Sequence, residues 1–120
     1  MAVPEDRIVR LATVQMTCGD SQEQNLTKAV ARVRQAAAMG ANIVCLQELF
    51  NAPYPCQSED HDRFQWAESI PGPTSQALSA IAKECSVVVT GSIFERRAHG
   101  LYHNTALICD RDGTQELRSI

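Results

Sequence analysis

No stretch of this chain approaches the ~18 consecutive apolar residues that a membrane-spanning helix requires, so no membrane span is expected. A basic patch is also missing. Lys+Arg number 11 against 14 Asp+Glu, giving a formal net charge of -3. Nucleic acid is therefore not an expected partner, and the mild acidity reads as a solvated surface. No two of the five cysteines (Cys18, Cys45, Cys56, Cys85, Cys109) form a C-x-x-C pair, and the three histidines (His61, His99, His103) show no metal-ligand spacing. The first residues, Met1 to Arg7, lack the apolar core of a secretory leader. Free thiols in a reducing cytosol, with no metal, are the expectation. Repeats, low-complexity tracts and linkers are absent, so residues 1–120 read as one folding unit.

What is present is an ordinary globular balance, 44% hydrophobic and 21% charged, which is enough apolar material for a core. Ile8 to Met16 is largely apolar and rich in β-branched residues, as a buried strand should be. A turn at Gly19-Asp20-Ser21 leads into an expected helix from about Gln22 to Met39. Its apolar stripe is Leu26, Val30, Val33 and Ala37, and Gly40 stands where a C-terminal cap needs positive φ. Asn42 to Gln47 reads as a second buried strand, completing β–α–β with a parallel, right-handed crossover. Residues 51–73 are loop-rich, with a short helical piece near Asp60–Glu68. The next helix starts at Pro73-Thr74, buries Leu78, Ile81 and Ala82, and closes at Cys85. Ser86 to Phe94 reads as a third strand, Glu95 to Gly100 as a polar turn and Leu101 to Asp110 as a fourth strand. An Asp112-Gly113 turn can close a hairpin onto Gln115 to Ile120. The fold class is α/β, with helices covering one face of a sheet.

The most informative carboxylate is Glu48, which ends the run Ile43 to Gln47. Ligands of open α/β sheets gather at the C-terminal ends of strands. Partial burial there would raise the carboxyl pKa and suit it to general acid–base work. The bland alternative is a strand-end glutamate in solvent or paired with an arginine. Tyr54 is a candidate for packing on the aliphatic part of a substrate, and Cys56 a candidate for lining the same pocket. Asn104 is a candidate for supporting the site through hydrogen bonds. Glu59-Asp60 can attract a cationic amine or simply be solvated. Cys45, Cys85 and Cys109 read as small core residues, Cys18 as an ordinary thiol, and His61 and His99 as solvated.

Four segments together carry a resemblance: Ala12 to Met16, Gly40 to Phe50, Ala67 to Thr74, and Gly91 to Glu95 followed by Gly100 to Ala106. In order and spacing they resemble the nitrilase superfamily of carbon–nitrogen hydrolases, from about Ile8 to Asp112. Pro53 to Asp60 resembles the segment after the catalytic glutamate in the N-carbamoylputrescine amidohydrolases. The resemblance implies a four-layer α–β–β–α sandwich, of which residues 1–120 would be an incomplete, N-terminal part, and a homo-oligomer when full length. It implies a Glu–Lys–Cys catalytic set without metal or organic cofactor. The cysteine attacks a carbonyl carbon, the glutamate acts as general base, and the lysine stabilises the oxyanion. The implied substrate is a small carbamoyl amine. With N-carbamoylputrescine, a step of polyamine synthesis, the products would be putrescine, ammonia and carbon dioxide. Only the glutamate carries over, as Glu48. Lys28 and Lys83 precede the expected lysine position, Arg118 is no substitute for it, and none of the five cysteines falls in the nucleophile's context. The 120 residues alone are therefore expected to be inactive.

Three alternatives stand beside this reading: a truncated, non-catalytic remnant or interaction fragment; a family member acting on another carbamoyl amine, amide or nitrile; and a small flavodoxin-like binding domain. Against the last, Met16 to Asp20 holds a single glycine and no phosphate loop.

Overall fold

A computed structural model describes residues 8–51 and 61–119. Strand β1 (Leu11–Val14) is followed by helix α1 (Gln22–Ala38) and strand β2 (Ile43–Leu46). After a 3-10 helix (His61–Trp66) come helix α2 (Pro73–Cys85), then strands β3 (Val88–Ala98), β4 (Leu101–Cys109) and β5 (Gln115–Ser119). The five strands form one sheet in the order β1-β2-β3-β4-β5. β1, β2 and β3 run parallel, with Leu11 opposite Ile43 and Ile43 opposite Val88. β3–β4 and β4–β5 are antiparallel hairpins. This mixed sheet, with its run of antiparallel strands, differs from an all-parallel flavodoxin-like arrangement. Among the described residues, no helix is long and apolar enough to cross a membrane.

Local chemistry explains the helix ends. Ser21 caps α1, its hydroxyl accepting from the Gln24 N–H at 3.2 Å. Gly40, at φ +95°, takes the chain out of α1 in the left-handed conformation that favours glycine. α2 begins with Pro73 in its first turn, and the Ser75 hydroxyl accepts from the Gly72 N–H at 2.9 Å. A Cβ at position 72 would lie 2.3 Å from the Ser69 carbonyl oxygen, so this approach admits only glycine.

Both helices pack on one face of the sheet. Ala29, Val33 and Ala36 of α1 and Leu78, Ile81 and Ala82 of α2 meet Val44, Val89, Ile93 and Leu107 of the strands. Alternation along each strand sends the intervening residues to the other face, which neither α1 nor α2 covers. Leu11 there is 63% exposed and Ile108 37%.

Four expectations need correction. β1 spans four residues rather than nine, and the flanking Ile8 and Val9 are exposed. The buried stripe of α1 is Asn25, Ala29, Val33 and Ala36. Leu26, Val30 and Ala37 only flank it, because small alanines allow close approach to the sheet and Asn25 ties down two loops. Glu95 to Ala98 is strand rather than turn: β3 continues to Ala98, with a register shift between Arg96 and Ala98. The reason is that Glu95 points inward and is satisfied there. Its Oε1 accepts from Thr105 Oγ1 at 2.6 Å and from Arg97 at 3.0 Å. Burial pushes its pKa up, but these hydrogen bonds and the Arg97 charge outweigh that and leave it below the ordinary carboxylate value. Cys45, finally, is half-buried and lies on the uncovered face, since its neighbour Val44 points into the core.

Cys109 is fully buried, and desolvation pushes its thiol pKa up to about 11. In the folded chain at pH 8, Cys109 is expected to resist an aromatic disulfide reagent, then react once denaturant is added. Peptide mapping of the labelled thiols checks this, and rapid labelling of native Cys109 would contradict its placement.

Candidate active site

β2 ends at Leu46, and the chain turns sharply through Gln47 to Asn51 at the C-terminal end of the parallel strands. This turn straddles the sheet. Phe50, fully buried, enters the core beside Leu78 and lies against Gly91, where an added Cβ would sit 3.4 Å from both side chains. Leu49, also buried, holds φ +49°, a left-handed conformation that a leucine adopts only when its surroundings impose it. Its N–H donates to the buried Ser92 hydroxyl at 2.7 Å.

Glu48 stands between these anchors. Sequence reasoning placed it partly buried; the structure places it exposed. The physical reason is that the strand has ended and that α1 and α2 cover only the opposite face of the sheet. Glu48 is nevertheless fixed, because Asn104 Nδ2 donates to its Oε1 at 2.5 Å. Thr105 and Leu107 of β4 are fully buried on the helix side, so Asn104 projects from the opposite, uncovered face. The two sequence candidates, 56 residues apart, are thus brought together. Asn104 Oδ1 is buried and has no hydrogen-bond partner among the described residues. A buried acceptor left open in this way is costly unless something donates to it.

Beside this pair lies an aromatic patch that sequence reasoning missed. Phe94 pairs with Asn104 across β3 and β4. Its ring lies 5.7 Å from that of Tyr102, which lies 4.7 Å from that of Phe64. The two strand aromatics, at positions 94 and 102, share the face of Asn104, a diagonal relation that period-2 spacing makes visible once the register is known.

A second missed group is the polar network that fixes the turn from behind. Glu68 accepts from the Thr74 N–H at 2.9 Å, the Thr74 hydroxyl at 2.8 Å and Asn51 Nδ2 at 3.0 Å. Asn51 also donates to Thr74 Oγ1 at 2.8 Å, and its carbonyl accepts from Asn25 at 2.9 Å. The backbone of Glu68 bridges to β3, with its N–H on the Phe94 carbonyl and its carbonyl taking the Arg96 N–H. The segment Ala67 to Thr74 is therefore a bracket holding α2, β3 and the Glu48 turn together. Glu68→Ala strips an acceptor from three donors, and a loss of about 1–3 kcal/mol in unfolding free energy is expected. Urea titration measures it, and an unchanged midpoint would rule the bracket out.

Cys18 is tied to the same turn. Its thiol donates to the Phe50 carbonyl at 2.6 Å, and burial raises its pKa more than the Lys28 charge lowers it. Neither lysine joins the Glu48–Asn104 pair: Lys28 donates to Thr17, and Lys83 lies in the last turn of α2. Tyr54 and Cys56 lie outside the described residues. A groove of about 570 Å³ runs along β1 and α1, but Glu48 is not in its lining. Its lining holds no carboxylate.

A family model described as carbon-nitrogen hydrolase matches residues 10–118. The chain is 39% identical over 105 residues to the omega-amidase NIT2 of Bos taurus, covering 88% of this chain and 37% of that protein. It is 39% identical over 111 residues to the N-carbamoylputrescine amidase of Solanum lycopersicum, covering 92% of this chain and 37% of that one. Among solved structures, a carbon–nitrogen hydrolase from Helicobacter pylori G27 superposes with a TM-score of 0.85 at 30% identity, over 92% of this chain and 39% of its own. The chain thus spans a little over a third of the length of the proteins it matches. Mixed sheet, helix layer and motif order agree with these matches, and the chain belongs to the carbon–nitrogen hydrolase family.

Proposed function

We propose that residues 1–120 are the N-terminal part of a hydrolase that cleaves a non-peptide C–N bond in a small molecule, and that Glu48 is its general base. The observation that carries this reading is a carboxylate held by Asn104 at the C-terminal end of the parallel strands, within a chain of this family. In the proposed reaction a cysteine from outside these 120 residues attacks the carbonyl carbon of the substrate. Glu48 takes the thiol proton and passes it to the departing nitrogen, and a lysine, also from outside, stabilises the oxyanion. Water, deprotonated by Glu48, then releases the product from the thioester-type intermediate. On this reading the 120 residues alone do not catalyse.

For the substrate, a carbamoyl amine such as N-carbamoylputrescine is favoured by the Pro53 to Asp60 segment and by the similarity to N-carbamoylputrescine amidases. The aromatic patch of Phe64, Phe94 and Tyr102 would suit the aliphatic part of such a molecule. An ω-amide is the second reading, favoured by the equal identity to omega-amidases. Ammonia release by the product of the complete reading frame, offered N-carbamoylputrescine and an ω-amide in parallel, tests both. Faster turnover of N-carbamoylputrescine supports the first, and faster turnover of the ω-amide supports the second. No ammonia from either would remove both substrate assignments.

A further inference from the structure

The last register pair of the β1–β2 ladder sets Val14 opposite Leu46. Carried on in that register, the ladder would set Met16 opposite Glu48 and keep the carboxylate's backbone inside the sheet. A side chain takes over instead. The Met16 N–H donates to Gln47 Oε1 at 2.6 Å. The Met16 donor is thus satisfied without the main-chain carbonyl of Gln47, and the backbone is free to turn at Glu48. The other end of the ladder carries a similar contact, with the Arg10 N–H donating to Asn42 Oδ1 at 2.8 Å.

The same Gln47 amide also reaches across the turn. Its Nε2 donates to Cys18 Sγ at 3.5 Å, and the Cys18 thiol donates to the Phe50 carbonyl. Met16, Cys18 and Gln47 are all half-buried, where such contacts are stronger than in water. The residue before Glu48 and the second residue after it are therefore tied to one segment, Met16 to Cys18. Leu49, between them, is tied to Ser92 of β3.

We infer, on the reading that Glu48 is the general base, that Gln47 is its positioning residue, acting through the contacts from Met16 to Gln47, Gln47 to Cys18 and Cys18 to Phe50. Gln47 touches none of the reacting atoms. Its amide ends the ladder one residue before the base and fixes the turn that presents the carboxylate to Asn104. A base displaced by about 1 Å can cost about 10²-fold in turnover.

Kinetics of the product of the complete reading frame test this, with N-carbamoylputrescine or the ω-amide, whichever releases ammonia faster. Gln47→Leu keeps the bulk and loses both contacts. Its kcat is expected to fall about 10²-fold with KM little changed, as loss of transition-state alignment requires. Cys18→Ala is expected to lose up to about tenfold, the worth of one hydrogen bond. Cys18→Ser recovers most of that loss, because a hydroxyl also donates and accepts. Equal kcat in the alanine and serine variants would make Cys18 a packing group and overturn the chain of contacts. Hydrogen exchange read by mass spectrometry is independent of activity. Peptides holding the Met16 amide are expected to exchange faster in Gln47→Leu, while those of α1 keep the parent rate. Unchanged protection of Met16 would overturn the role of Gln47. Glu48→Gln, measured alongside, separates the two readings. Parent turnover in Glu48→Gln would end the general-base reading and this one with it. Loss of turnover in Glu48→Gln but not in Gln47→Leu would overturn the positioning role alone.

Discussion

Glu48→Gln, introduced into the complete hydrolase, is expected to lower turnover by about 10²–10⁴-fold, the range that a positioned general base contributes. The substitution keeps the size of the side chain and an oxygen that can accept from Asn104, but removes the basic group. Because Glu48 is exposed and lies outside the core, the variant should unfold at the same denaturant concentration as the parent. A loss of turnover with unchanged stability is the signature of a chemical role. Asn104→Ala releases the carboxylate without removing it, so a smaller loss is expected, recovered in part by Asn104→Gln, whose amide can still donate. Ammonia release together with a urea melt for each variant separates these cases. Wild-type turnover in Glu48→Gln would leave the carboxylate as an ordinary surface group.

The second large effect lies behind the site. Phe50→Ala is expected to destabilise the chain by about 3–5 kcal/mol, the usual cost of truncating a buried aromatic ring. Phe50 is fully buried and, with Leu78, closes over Gly91. A loss of that size is a large share of the roughly 5–15 kcal/mol that holds a typical domain together. The ring is also the anchor that lets Leu49 keep its left-handed backbone and Glu48 its position. Phe50→Leu, which fills more of the space, should recover much of the loss. Urea denaturation followed by circular dichroism measures both, and a cost below about 1 kcal/mol for the alanine variant would show that the turn is held by its polar contacts alone.

How much of this was legible beforehand follows from what each element depends on. α1, α2 and the parallel pairing of β1 with β2 rest on local signals: the cap at Ser21, the glycine at 40, the proline at 73 and apolar runs of strand length. Such signals lie within a few residues of what they specify. β3 was cut short in the sequence reading because Glu95, Arg96 and Arg97 look like a turn. The strand continues because Thr105, ten residues away, supplies the hydrogen bond that makes a buried Glu95 tolerable. Three of the four α1 stripe positions shift by one, with Val33 common to both, for a similar reason, since the burial of Asn25 depends on loop carbonyls at Gly19 and Asn51.

The candidate site divides in the same way. Glu48 was visible because a carboxylate at the end of an apolar strand run stands out, and Asn104 because it precedes a strand threonine within one of the resembling segments. The contact between them requires the β3–β4 register, which no local pattern provides. The Glu68, Thr74 and Asn51 network is not legible locally because it joins the turn after β2 to a segment 17 residues on, although Glu68 and Thr74 both fall within one of the four resembling motifs. The exposure of Glu48 was misjudged because strand periodicity stops at Leu46, two residues before it.

Glu48 is proposed as one member of a three-residue catalytic set whose lysine and cysteine lie outside residues 1–120. Reading the transcript beyond the Ile120 codon in all three frames tests this most directly. A lysine-bearing segment soon after the β4–β5 hairpin and a cysteine at the end of a later strand are the expected result. A stop codon with neither element in any frame would leave Glu48 without a nucleophile to activate, and the catalytic reading would fall.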